Sequence, residues 1–349
     1  MRVRAAAGTA QCLVGVVMAV FAAAAFVPNA ARAQDPAAFY AGKSVELDIG
    51  YSVGGGYDLY GRLLARHLGR HIPGNPTIVP KNMEGAGSLR LANWLANAGP
   101  RDGTVFGTIG RGTPFDPILG QPGAQFTATE MSWLGSMNQE VSICASWFDS
   151  GVATYQDLLT KELLVGAVSN NDDTGQFARV MNTVLGTKMK IVAGYPGGND
   201  VVLAMERGEV KGRCGWSWSS VLAARMSWWK EKKINVLVQL ALAKHPDLPD
   251  VPLVTELAKT DAERQMLRLI FARQVMGRPF LAPPGVPADR VAALRQAFLE
   301  TMADKEFRAD ADKAKLEIEP AAGDKVQALV KEVYATPAEV AKQAAAALK

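Results

Sequence analysis

Apolar positions along this chain switch repeatedly between a period of two and a period near 3.6, the spacings of a strand and of a helix face. Residues 44–50 alternate as a strand. Residues 58–72 place Leu59, Leu63, Leu64 and Leu68 on one helical face, and Pro73-Gly74 ends that helix. A short strand at 77–79, a helix at 89–98 and a strand at 104–109 follow. Such a β-α-β-α-β series predicts a parallel sheet covered by helices.

The series then restarts. Residues 133–147 read as an extended crossover. Strands are expected at 163–168, 188–193, 209–214 and 234–241, and helices at 174–185, 199–207 and 221–231. Two such series joined by two crossings predict a second α/β unit inserted into the first. Beyond His245 the pattern is mostly helical, clearest at 289–302 with Val291, Leu294, Phe298 and Met302 in phase.

The N-terminus adds an address. Arg2 and Arg4 precede an apolar run at 12–27, and Ala31-Arg32-Ala33 is a small-x-small site, so residues 1–33 are expected to be a cleaved export signal. The apolar run falls short of the roughly 20 residues of a spanning helix and stops at Pro28. Cleavage removes Arg2, Arg4 and Arg32 and no acid, so 38 basic residues become 35 against an unchanged 34 acidic ones. A nearly neutral mature chain excludes a nucleic-acid binder, which carries a basic surplus. Export implies the periplasm, and no cofactor is expected. Two cysteines remain, Cys144 and Cys214. An exported chain permits a disulfide between them, but two separate buried thiols satisfy the sequence equally.

The chemistry concentrates at turns between strands and helices. Gly54, Gly55 and Gly56 lie between the first strand and the first helix, where bare N–H groups and the helix dipole favour an anion. Ser52 and Tyr57 add hydroxyls there, and Asp58 is placed to cap the helix. The plain alternative is a structural turn. Arg111, beside Thr113, is a candidate carboxylate clamp or a surface ion pair. Ser169, Asn170 and Thr174 precede a second helix. Asp172 and Asp173 beside them either cap it and face water or oppose a ligand carboxylate. Tyr195, Gly197 and Gly198 form a further turn toward the same region, and Trp216 suits either a cleft wall or the core. Catalysis finds little support. His67 and His71 share a helix end crowded with arginine, where packing is expected rather than a metal, and no Gly-x-Ser-x-Gly element occurs.

These motifs, in this order, resemble the periplasmic solute-binding proteins of tripartite tricarboxylate transporters, the TctC or Bug family. The resemblance rests on Tyr40-Ala41-Gly42-Lys43, Gly54-Gly55-Gly56-Tyr57-Asp58, Asn82 with Gly85-Ala86-Gly87, Asp102-Gly103-Thr104, Tyr195-Pro196-Gly197-Gly198 and Gly208-Glu209-Val210. Two late proline segments, Pro249-Asp250-Val251-Pro252 and Ala282-Pro283-Pro284-Gly285-Val286-Pro287, extend it. It implies a type II periplasmic binding fold: two α/β lobes, 34–141 with 242–349 and 142–241, on a two-strand hinge with a ligand cleft between. It implies a non-enzymatic, monomeric receptor that passes a small organic carboxylate to a membrane permease; a sensor that presents its ligand to a signalling kinase is the alternative. It also implies carboxylate contacts from the loops holding Tyr51, Ser52 and the glycines in one lobe and Ser169, Asn170, Thr174 and Tyr195 in the other. The chain departs from the family pattern at Gly50-Tyr51-Ser52-Val53, at residues 169–175 and at Pro196. Those departures fall on the expected ligand contacts.

Overall fold

The computed structural model describes residues 35–348 of the chain, so the expected signal at 1–33 lies outside the described residues. The first series forms β1 (Ser44–Ile49), β2 (Thr77–Asn82) and β3 (Val105–Thr108), with β1 parallel to both neighbours. Its first helix, Gly56–Leu68, buries Tyr60, Leu63, Leu64 and Leu68 on one face. That face packs with Val45, Leu47 and Ile49 of β1 and with Phe280 and Phe298 from the C-terminal part of the chain. Each such side chain contributes about 1.5–3 kcal/mol on burial. Asp58 at the start and Arg66 and His67 at the end suit the dipole of this helix.

The expected crossover at 133–147 is two strands rather than one. β4 (Ser132–Ser136) stays in the first sheet, and β5 (Ser142–Trp147) begins the second. Asn138 and Glu140, both buried, occupy the link, and their polar groups need partners there that a continuous strand would not provide. The second series supplies β6 (Leu163–Ala167), β7 (Met189–Ala193), β8 (Gly212–Ser217) and β9 (Ile234–Leu240). β8 starts three residues later than the apolar pattern suggests, because Gly208 takes a left-handed turn (φ 77°) after the helix Gly198–Glu206. The helix expected at 221–231 breaks at Arg225 into Trp218–Ala224 and Met226–Lys230.

β10 (Pro279–Ala282) and β11 (Ala321–Ala322) complete the first sheet, ordered β11-β4-β10-β3-β1-β2; the second runs β7-β6-β8-β5-β9. Neither sheet is wholly parallel. β10 is antiparallel to β3 and β4, and β5 is antiparallel to β8 and β9. Cys144 of β5 and Cys214 of β8 form a disulfide at a register shift between the two strands. Trp216, Trp218 and Trp228 are core residues beside Ile143 and Met205. Among the described residues no helix is long and apolar enough to cross a membrane.

Candidate ligand-binding site

Each sheet contains the same parallel unit, β2-β1-β3 in one and β7-β6-β8 in the other. Loops that leave the carboxyl ends of such strands collect ligands where the strand order reverses. Here the loops after β1, β3, β6 and β8 meet at one narrow cavity of about 40 Å³. Its walls include Tyr51, Gly55, Gly56 and Tyr57 from the first loop, Arg111 from the second, and Val168 and Asp172–Thr174 from the third. Tyr51 and Tyr57 stack, with ring centroids 4.5 Å apart.

The turn after β1 leaves its helix without a side-chain cap. Gly54 takes a left-handed conformation (φ 83°), and Gly55 is the N-cap residue. A Cβ on Gly56 would stand 2.2 Å from Ser220 Oγ and 3.0 Å from Arg278 Nη2, so only glycine fits. The Asp58 carboxylate points back into the protein. It accepts from Gly54 N–H at 2.9 Å, from Arg62 at 2.8 Å and from Asn82 at 2.9 Å. It therefore holds the loop and leaves the first-turn amides of the helix to the cavity side.

The turn after β6 is built differently. Asp172 caps the helix Asp173–Leu185, accepting from Thr174 N–H at 3.1 Å and Thr174 Oγ1 at 2.5 Å. Burial pushes its carboxyl up to about 6 against the pull of the Thr174 hydrogen bond. Asp173 accepts from Arg111 Nε at 2.5 Å and lies 3.3 Å from Arg273 Nη1. Asp172 caps the helix, as one of the two alternatives held, but both acids are buried in the cavity wall and neither faces water. Asp173 is neutralised by two arginines rather than by solvent.

Arg111, Arg213 and Arg278 line the cavity and are all at least nine-tenths buried. Arg111 also donates to Ser142 and Ser217 at 3.1 Å each. Burial opposes its charge, but Asp173, Tyr57 and Glu140 together outweigh that and hold the guanidinium above its ordinary pKa. Arg278 lies 3.1 Å from Glu140 and over the Tyr57 ring at 4.7 Å. Arg213 donates to the Gly198 carbonyl at 2.8 Å and has no carboxylate in ion-pair range among the described residues. Burial lowers its pKa to about 10. Among the described residues each of the three keeps one buried nitrogen without a hydrogen bond: Nη1 of Arg111, which lies 3.9 Å from Glu140, and Nε of Arg213 and Arg278. Buried donors without acceptors are costly, and an anion in the cavity would satisfy them.

No family profile and no curated protein matches the sequence. Solved structures do match in shape. The periplasmic binding protein BugD superposes with a TM-score of 0.71 at 18% identity, over 87% of this chain and 98% of that one. MatC from Rhodopseudomonas palustris, with bound malate, gives 0.69 at 18% identity, over 87% and 99%. R. palustris Rpa4515, with adipate, gives 0.66 at 17% identity, over 87% and 97%. The fold is that of a periplasmic binding protein.

Within the binding-protein fold, the expected site residues divide into two groups. Tyr51, Gly55, Gly56, Tyr57, Arg111, Thr174 and Gly198 line the cavity. Gly54 and Trp216 border an adjoining chamber, although Trp216 is mostly core. The others stand back. Ser52 Oγ donates to Asp200 at 2.7 Å and abuts Gly197, joining the two sides of the cleft. Thr113 is buried against Ser88 and Gly87. Ser169 accepts from Asn171 N–H, exposed Asn170 accepts from Arg179, and half-buried Tyr195 packs near Gly166. His67 and His71 are bonded to Asp310 at 3.0 Å and Asp304 at 2.8 Å, tying the first helix to the C-terminal helices. Sequence reasoning missed Arg213, Arg278 and Ser220. A lone charge inside the buried strand 212–217, and another just before β10, were the available signals.

Proposed function

We propose that this chain is an exported solute-binding receptor that captures a small organic carboxylate and delivers it to a membrane permease of the tripartite tricarboxylate type. It acts as a monomer in the periplasm after loss of residues 1–33, and it catalyses no reaction. The lobes are 34–141 with 242–349, and 142–241. One observation carries this reading: three buried arginines with unmet donors meet an uncapped helix start at one cavity. The bound malate and adipate of two structures with the same fold support it. The ligand draws the lobes together because only the closed arrangement brings both walls against it. A thermal-shift series over mono-, di- and tricarboxylates tests the reading. A true ligand at 100 times its Kd raises stability by about 2.7 kcal/mol. No shift with any carboxylate would refute it.

A further inference from the structure

The second sheet ends in two different environments. The carboxyl ends of β6 and β8 open on the cavity. At the other end of β8, about 20 Å away for a six-residue strand, three chain segments meet. β5 ends there at Trp147, β8 begins just after Lys211, and β9 begins at Ile234. Trp147 N–H donates to the Lys211 carbonyl at 2.8 Å, and Phe148 N–H donates to the Lys233 carbonyl at 3.0 Å.

An aromatic tip stands on this junction. Phe148 is 60% exposed, whereas the other large apolar side chains exposed among the described residues are all aliphatic. Half-buried Trp147 lies 5.8 Å from it between ring centroids and rests edge-on against Trp228 at 4.7 Å. Trp228 belongs to the core beside Ile143 and Trp216, so the protruding ring has a rigid base. Lysines flank it. Lys211 and Lys233 are each answered by an acid, Asp149 at 2.9 Å and Glu231 at 2.8 Å. Lys230 and Lys232 are exposed and have no ion-pair partner among the described residues.

We infer that this tip lies on the anionic surface of a membrane, with Phe148 and Trp147 at headgroup level and Lys230 and Lys232 against the lipid phosphates. Aromatic rings settle at the boundary between water and acyl chains, and nearby lysines add attraction to anionic headgroups. An acidic protein face would match the lysines, but it would need a socket shaped for Phe148; a fluid interface needs none. The tip and the cavity occupy opposite ends of the same sheet, so attachment leaves the cavity uncovered. The inference does not depend on what the cavity binds.

Co-sedimentation of the protein without residues 1–33 tests this, using vesicles of equal parts phosphatidylglycerol and phosphatidylcholine against phosphatidylcholine alone. The protein should pellet with the anionic vesicles at low salt, and 0.5 M sodium chloride should release it. Lys230→Gln combined with Lys232→Gln should weaken association about 25-fold, about fivefold for each lysine. Phe148→Ser should weaken it about tenfold with an unchanged circular dichroism spectrum. No pelleting with anionic vesicles overturns the inference, as does equal pelleting of the parent and either variant. Sedimentation velocity without lipid and binding of a polyglutamate peptide check the other occupants. A dimer lost in Phe148→Ser would assign the tip to a second copy, and peptide binding without vesicle binding would assign it to an acidic protein; either result overturns the membrane.

Discussion

The two parallel units use the same strand order but finish their first helix in opposite ways. After β6, Asp172 fills the amides of the helix start with its own carboxylate, and Thr174 locks that carboxylate in place. After β1, the N-cap is Gly55, and among the described residues no side chain makes a cap hydrogen bond to the helix start. One helix end is satisfied by its own side chain; the other is left open. The same contrast appears in the charges. Asp173 on the β6 side is answered by Arg111 and Arg273, whereas Arg213 on β8 has no ion-pair partner among the described residues. On the receptor reading proposed above, the β6 side is the self-satisfied wall and the β1 side with β8 is the one assigned to recognition.

Removing Arg111 should break this division most severely. Arg111→Met leaves Asp173 with a single arginine at 3.3 Å and should cost about 3–5 kcal/mol in chemical denaturation, the usual penalty for splitting a buried ion pair. A loss below about 1 kcal/mol would mean that Arg273 suffices. Next in size is a pair of glycine variants. Gly56→Val drives a side chain into Ser220 and Arg278 and should weaken carboxylate binding about a hundredfold, some 2.7 kcal/mol, with an unchanged circular dichroism spectrum. Gly55→Ala meets nothing closer than 3.7 Å and should bind within about twofold of the parent. If both glycines tolerate substitution, the open helix end is not the recognition element.

The smallest expected effect lies on the capped side. Asp172→Ala should cost about 1 kcal/mol at neutral pH through loss of the cap, and Asp172→Asn, which still caps, should cost less. Burial raises the Asp172 pKa in the folded protein to about 6, above its ordinary value near 4. The protonated form therefore favours folding. Its contribution is full below about pH 4 and is lost as the pH rises through about 6. Asp172→Asn should flatten that part of the stability profile in urea titrations between pH 4 and 7. An identical slope in parent and variant would place the titration elsewhere.

The open turn was legible because glycine between an alternating run and a helical run has few other uses. The alternating βα units were legible for the same reason: their periods differ. The antiparallel strands β10 and β11 were hidden, since four and two residues offer too little pattern to separate them from a loop. Arg213 and Arg278 stood in plain view as single charges among buried residues, but what they face comes from distant parts of the chain. Arg278 meets Glu140, and Arg213 meets Gly198; neither pairing leaves a trace in local spacing. Arg225 was obscured by a pattern that runs through 221–231 without interruption. Only the folded chain shows the break there.

The bridge between Cys144 and Cys214 joins the strand that enters the second sheet to the strand that carries Arg213 next to it in sequence. It closes a loop of 70 residues, for which chain entropy alone gives about 4 kcal/mol. A reducing compartment withholds that bond. The strand bearing Arg213 is then covalently tied to its neighbour only in oxidising surroundings, so the redox state of the compartment sets how firmly that arginine is held.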